Sequence, residues 1–309
     1  MGALGPFLEI LIGGPLSGVL YSLVALGFVL IYKASGVFNF AQGAMVLLAG
    51  LALVRPLDWM VANGFPYFAA VILALLFAGG IMAITAWLIE RYILGPLINQ
   101  DGLTLFMSTI GATFIIEGAG QTIFGSNVYP LRLFPTDAWF VLEDLFPGGI
   151  LINKLDVWGG LIAGILVAGL ATFFQYTKTG RALRAVADDH AAAQSVGIPI
   201  NWIWFVVWLV AGLVALVAAT VWGTKLGVQF SIVFLALKAL PVLIIGGFTS
   251  VPGAIVGGLL IGAGEKLAEA YLGPIFGGGI EYWFAYVVAL AVLLVRPQGL
   301  FGEKIIERI

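Results

Sequence analysis

Asn39 and Gln42 lie three residues apart in the stretch GVFNFAQGAM, Gly36 to Met45, so on a helix they share one face. Two amides followed by Gly43 could line a solute path with donors and acceptors, or they could tie helices together inside a membrane. A second stretch, Gly246 to Val256, matches the first at five of eleven positions: Gly36, Phe38, Gly43, Ala44 and Val46. Thr249 and Ser250 are the polar counterparts there, small enough to satisfy their own backbone instead. Glu117 interrupts an apolar run, and Lys238 sits in LALKALPVL. A charge at the bilayer centre costs at least ~2.5 kcal/mol on insertion scales, so such residues are paired, functional, or near a helix end from which they snorkel. Glu117 and Lys238 are opposite in sign and could pair or form a proton or ion relay. Catalytic chemistry finds no support. There is no phosphate-binding loop, no HExxH, and no serine nucleophile with a plausible base. Lys178-Thr179-Gly180 lacks its S-x-x-K companion. With no cysteine and one histidine, His190, no cysteine or histidine metal site can be built.

The composition is that of a membrane protein. Of 309 residues, 61% are hydrophobic and 10% charged, against about 25% charged in soluble domains. The 42 glycines are about twice the usual share of roughly 7%, and transmembrane helices use small residues for close packing. A net charge of −2 leaves no basic face for nucleic acid. The first residues lack a basic region, with Glu9 where Lys or Arg would stand, so no cleavable signal peptide is expected.

A spanning helix needs about 20 apolar residues. Candidate segments are Ile10 to Tyr32, Ala34 to Val54, Trp59 to Ile89, Gly102 to Leu131, Val157 to Thr177, Ala191 to Thr224, Ala239 to Gly264, and Tyr282 to Val295. The predicted fold is an all-α polytopic membrane bundle of eight or nine hydrophobic segments in one domain over 1–309, some segments broken or re-entrant. Residues 125–156 form an acidic loop with Asp137, Glu143, Asp144 and Asp156 among three prolines. Residues 177–200 form a basic loop with Lys178, Arg181 and Arg184, placed in the cytoplasm by the positive-inside rule. One span separates the loops, so the acidic one faces outside. A helix break at Gly246-Gly247 would return Arg296, Lys304 and Arg308 to the cytoplasm.

The basic loop predicts two short helices, one over Arg181 to Ala187 and one over Ala191 to Val196. Asp188 or Asp189 would cap the second, and Gly197 with Pro199 would stop it. Such a knob suits a groove on a cytoplasmic partner; the alternative is a solvated loop that only fixes topology. Gly253, Gly257, Gly258, Gly262 and Gly264 include two GxxxG pairs, which imply a closely packed partner helix in this chain or another.

The run GRALRAVADDHAAAQSVGI, Gly180 to Ile198, resembles the coupling loop of permeases of the branched-chain amino acid type of ABC importer. Three more stretches agree in order: Ser22 to Met45, Leu237 to Glu265, and VRPQGLFG, Val295 to Gly302. The resemblance covers nearly the whole chain. It implies a permease subunit in a bacterial cytoplasmic (inner) membrane, working with a second homologous permease chain, two cytoplasmic ATP-binding subunits, an external solute-binding protein and membrane lipid. ATP and Mg would be used by the partners, with no cofactor bound by this chain. It further implies that Gly180, Arg181, Arg184, Ala185, Asp188, Asp189, Ala192 and Gly197 contact the ATPase. Asn39, Gln42 and the Gly246–Gly253 break would sit by the translocation path, along with Gly43, Glu117, Lys238, Thr249 and Ser250 as candidates. The implied cargo is a branched-chain or hydrophobic amino acid, or a related small carboxylate or amide. Many members read N-F-A-H-G-E where this chain reads Asn39-Phe40-Ala41-Gln42-Gly43-Ala44, without the titratable His and Glu.

Two other classes fit the composition. An ion-coupled secondary transporter would use Glu117 and Lys238 in a relay and need no ATPase, but it does not require the elaborate basic loop. A non-transporting membrane assembly factor would be indifferent to replacement of Asn39 or Gln42.

Overall fold

The computed structural model describes residues 4–98, 100–142, 145, 149–188 and 190–302. The fold is helical: α1 Leu4–Ser35, α2 Gln42–Ala62, α3 Tyr67–Leu88, α4 Gly102–Phe124, α5 Lys154–Tyr176, α6 Lys178–Asp188, α7 His190–Ser195, α8 Ile200–Leu226, α9 Leu235–Gly246, α10 Val251–Phe276 and α11 Phe284–Val295. Among the described residues, seven helices are long and apolar enough to cross a membrane, and Phe230–Gly246 and Phe284–Val295 are shorter apolar helices. This is the all-α polytopic fold and the segment number that the hydropathy pattern predicts. Boundaries shift where backbone geometry decides them. The apolar segment beginning at Ala34 is not continuous helix, because α1 stops at Ser35 and α2 begins only at Gln42, running on past Arg55 and Asp58.

The acidic loop carries an element that its sequence did not suggest. Strands β1 Ala138–Val141 and β2 Ile150–Asn153 form an antiparallel hairpin, with Ala138 opposite Asn153 and Val141 opposite Ile150. Lys154 forms an ion pair with Asp137, and its N–H donates to the Asp137 carbonyl at 3.0 Å, which closes the base of the hairpin. The Lys154 ammonium, hydrogen-bonded to the Asp137 carboxylate, holds that carboxyl below its ordinary range. A depressed carboxylate stabilises the fold above its unfolded pKa of about 4, and the effect fades as pH falls through the lower folded value. Glu143, Asp144 and Pro147 of this loop, and Lys304 and Arg308 of the tail, lie outside the described residues.

The chain divides into two compact units. One comprises Met1–Ala25, Phe134–Ile165 and Leu237–Ile309; the other comprises Leu26–Leu133 and Leu166–Ala236. In the second, α2 is the central rod. Every residue from Gln42 to Val54 is buried, and α3, α4, α8 and the 3-10 turn Phe230–Phe234 surround it. Close approach needs missing side chains at two points on α2. A Cβ at Gly43 would overlap the Val233 carbonyl oxygen, and one at Gly50 would lie 3.0 Å from the Val228 side chain.

In the first unit α10 packs through glycine on three sides. Gly253 and Gly257 meet α9, where a Cβ would overlap the carbonyl oxygens of Gly246 and Val242. Gly258 and Gly262 meet α1 at Gly14, Gly18 and Ser22. Gly14 faces Gly262, Gly18 faces Gly258, and the Ser22 hydroxyl donates to the Ala254 carbonyl at 2.9 Å, so these stretches run antiparallel. Gly264 receives the Phe284 ring of α11. The GxxxG spacing therefore finds its partner helix within this chain. Gly18→Val should cost about 1–3 kcal/mol by overpacking, read as a lower melting temperature of the purified protein. Gly13→Ala, with nothing within 4 Å of its Cβ, should leave the melting temperature unchanged or raised.

Candidate functional site

The first interruption runs from Gly36 to Ala41. Gly36 turns the chain with φ +67°, and its N–H donates to the Tyr32 carbonyl at 2.8 Å. A broken helix leaves backbone groups unpaired, and inside a membrane these must find internal partners. Asn39 supplies one: its Oδ1 accepts from the Ala41 N–H at 3.0 Å. Thr109 on α4 supplies the other. Its hydroxyl oxygen accepts from the Phe40 N–H at 3.1 Å and faces the carbonyls of Phe38 at 3.2 Å and Phe106 at 2.8 Å. Phe38 stacks on Phe28 with centroids 5.0 Å apart, and Phe40 meets Phe106 edge-on at 6.0 Å. The segment is thus clamped by aromatic packing and one threonine.

Asn39 and Gln42 are each 0% exposed. The Asn39 amide nitrogen donates to Gln42 Oε1 at 3.1 Å and lies 3.7 Å from Met45 Sδ. Gln42 Nε2 is buried without a hydrogen-bond partner among the described residues. Flipping the Gln42 amide would set two N–H groups face to face, so one donor is surplus either way. Gly27 on α1 makes room for this amide, since a Cβ there would overlap it.

The second interruption runs from Gly247 to Ser250. Gly247 has φ +99°, a left-handed conformation that favours glycine. Ser250 caps α10, its hydroxyl accepting from the Gly253 N–H at 3.0 Å. Thr249 is half-buried in the turn. The last carbonyls of α9 are satisfied from far along the chain. The N–H groups of Leu300 and Phe301 donate to the carbonyls of Ile245 and Gly246 at 2.8 and 3.2 Å. Gly299 permits this approach, because a Cβ there would lie 2.6 Å from the Ile244 carbonyl oxygen. The VRPQGLFG stretch is therefore the C-terminal cap of the second break. The two similar sequence stretches have become two similar breaks, each with a positive-φ glycine followed by a polar side chain that accepts from backbone N–H.

The two charges within apolar runs fall in different units. Glu117 is half-buried on α4 in the second, where it makes no hydrogen bond or ion pair among the described residues. Lys238, half-buried on α9 in the first, sits between aromatic rings: its ammonium is 5.5 Å from the Tyr21 centroid, 5.2 Å from that of Tyr282, and 3.5 Å from the Tyr21 hydroxyl. Glu265 on α10 is only 5% exposed, and Lys238 is among the charges acting on it. Thr109, Gly27, Tyr21 and Glu265 were not singled out from the sequence. Only Glu265 carried a visible signal, as a carboxylate ending a glycine-rich apolar run.

The basic loop forms the two predicted helices, α6 and α7. Gly180 is buried at the α5–α6 turn, where a Cβ would overlap the Phe173 carbonyl oxygen. The Thr177 hydroxyl oxygen accepts from the Gly180 N–H at 2.9 Å. Leu183 and Val186 are the buried face of α6, which packs on α8. Arg181, Arg184, Asp188 and Ala192 are exposed, and Ala185 is half-buried. Gly197 ends the unit with φ +84°, and the Ile198 N–H closes back onto the Ala193 carbonyl at 3.0 Å. Asp189 lies outside the described residues.

A family described as "Branched-chain amino acid transport system / permease component" matches residues 10–296. Over 310 aligned residues the chain is 27% identical to the high-affinity branched-chain amino acid transport system permease protein LivH of Escherichia coli strain K12, covering 98% of each chain. It is 29% identical, with the same coverage, to the corresponding protein BraD of Pseudomonas aeruginosa. Among solved structures, PsaBC from Streptococcus pneumoniae in complex with Fab aligns over 94% of each chain, with a TM-score of 0.45 and 16% identity. Thr109→Val should leave the half-buried Phe40 N–H without its acceptor and cost about 1 kcal/mol. Thr109→Ser should retain most of the stability, and amide exchange at Phe40 would report the difference directly.

Proposed function

We infer function from one premise: this chain belongs to the family of permease components of branched-chain amino acid transport systems. It is a transport component of the cytoplasmic (inner) membrane, and permeases of this ABC type work with ATPase and binding-protein partners. The reading that follows is a permease subunit of an importer, moving a branched-chain or hydrophobic amino acid, or a related small carboxylate or amide, delivered by an external binding protein. The observation that carries it is the family match along nearly the whole chain. In the finer assembly, this chain pairs with a second homologous permease and two cytoplasmic ATP-binding subunits, which use the ATP and Mg while this chain binds no cofactor.

The α6–α7 unit faces the cytoplasm in this reading and docks the ATPase. The support is geometric. Leu183 and Val186 anchor α6, while Arg181 and Arg184 project from its exposed face. Gly180 and Gly197 shape the turns around the contact surface. Gly43 and Glu117 join Asn39 and Gln42 as candidate path-lining residues of the second unit, and Lys238, Thr249 and Ser250 are, separately, the candidates of the first. The unspent Gln42 donor supports that role, because a passing carboxylate or water could satisfy it once the break opens. Weak polar sites of this kind let a solute leave again.

Purification of the chain from its native membrane, with identification of co-purifying proteins, tests the assembly. Two ATPases and a second permease are expected; a lone chain or homodimer, with the ATPases left in the lysate, would count against it. Arg181→Glu with Arg184→Glu should cut ATPase recovery about tenfold without lowering the melting temperature. Asn39→Ala and Gln42→Ala should lower uptake of labelled leucine in vesicles more than they lower the yield of folded protein.

A further inference from the structure

We propose that the groove between the end of α3 and the start of α8 binds a phospholipid whose headgroup carries a primary ammonium beside its phosphate. With the α6–α7 loop in the cytoplasm, as proposed above, the start of α8 that follows it places this groove in the cytoplasmic leaflet; the chemistry of the groove does not rest on that placement.

Beyond Leu88 the helix widens into a π-helix over Ile89–Leu94 and ends in a 3-10 turn, Gly95–Leu97. Stretches of π-helix are rare and tend to mark functional sites. This one carries Glu90 and Arg91 side by side. Two hollows, of about 520 and 410 Å³, share Glu90, Arg91 and Asn201 in their walls. Trp87, Trp202 and Phe205 complete the first, and Tyr92 belongs to the second.

Glu90 is 7% exposed, and its carboxylate makes no hydrogen bond or ion pair among the described residues. Arg91 is exposed and likewise makes none. A buried carboxylate that no hydrogen bond satisfies is costly in a membrane even with the charge of Arg91 beside it. An ammonium donating to Glu90 would offset that cost. A phosphate on the same headgroup would take the Arg91 guanidinium, the Asn201 amide and the first N–H groups of α8. That helix has Pro199 at its N-cap and no side-chain cap, so its positive end is open. The walls suit acyl chains: Trp202 and Phe205 pack at 5.5 Å, and Trp87 meets Tyr92 edge-on at 5.8 Å. Trp and Tyr concentrate at membrane interfaces.

The charge pattern selects among lipids. A quaternary choline head can lie on the rings but has no N–H for Glu90. A glycerol head leaves Glu90 facing a net negative lipid. An ethanolamine head satisfies both residues.

The test is native mass spectrometry on the chain purified in mild detergent with the subunits that accompany it, challenged with equal amounts of phosphatidylethanolamine, phosphatidylcholine and phosphatidylglycerol of identical chains. The ethanolamine lipid should be retained about tenfold over the choline lipid, the worth of one charged hydrogen bond. Glu90→Gln should abolish that preference, Arg91→Gln should weaken retention of all three, and Trp202→Ala should do the same without changing selectivity. If Glu90→Gln does not assemble, the surface changes Arg91→Gln and Asn201→Ala carry the readout. Equal retention of the choline lipid, preference for the glycerol lipid, or unchanged retention in the variants would overturn the proposal. So would Trp202→Cys cross-linking efficiently to another protein subunit across the groove.

Discussion

The contact of bare backbone with bare backbone around α10 governs the first unit. Apolar side chains gain little by leaving lipid for protein, so helices in a membrane associate through close van der Waals packing and a few hydrogen bonds. Gly253 and Gly257 toward α9, Gly258 and Gly262 toward α1, and Gly264 toward Phe284 give α10 three such faces. The hydroxyl of Ser22, bonded to the Ala254 carbonyl, adds the polar link. Neighbouring features depend on this closeness. Lys238 reaches the ring of Tyr21 from the helix that Gly246 and Gly257 hold against α10.

Both helix breaks pose the same problem and solve it by different routes. Each leaves N–H and carbonyl groups that must find partners within the protein wherever lipid excludes water. The first borrows a hydroxyl from Thr109 and an amide from Asn39. The second uses Ser250 and the returning strand of backbone at Leu300 and Phe301. The second break is nearly fully accounted for. The first keeps a surplus, the Gln42 amide donor. That difference separates a joint that is finished in this conformation from one that has a bond left to make.

The two candidate surfaces beside α8 are built in opposite ways. An amphipathic piece buries its apolar residues on α8 and leaves its charges facing outward. The α6 helix does so with Leu183 and Val186 beneath Arg181 and Arg184. The groove at Glu90 and Arg91 does the reverse, drawing a carboxylate inward among aromatic side chains. The first geometry suits a protein partner that reads exposed charge, and the second a ligand that brings its own charges into an apolar wall.

Much of this was legible in the residues. Uninterrupted apolar runs dictated helices because the bilayer permits little else. Glycine and polar residues at Gly36–Gln42 and Gly246–Ser250 marked the breaks, and Gly197 and Pro199 marked the end of the second short helix. Local chemistry sufficed there, since caps, turns and apolar length act within a few residues. The hairpin at Ala138–Asn153 escaped because short strands among prolines and acids carry no strong period. Thr109, Gly27 and the Leu300–Phe301 cap escaped for a different reason. Each acts on a residue remote in sequence, and nothing in a threonine, a glycine or a backbone N–H announces its distant partner. The sequence by itself determined the membrane fold class, the positions of the breaks and the shape of the basic loop. Only the tertiary structure decided which glycine meets which helix and where each orphaned backbone group finds its bond, because those pairings depend on distances that exist only after the chain has packed.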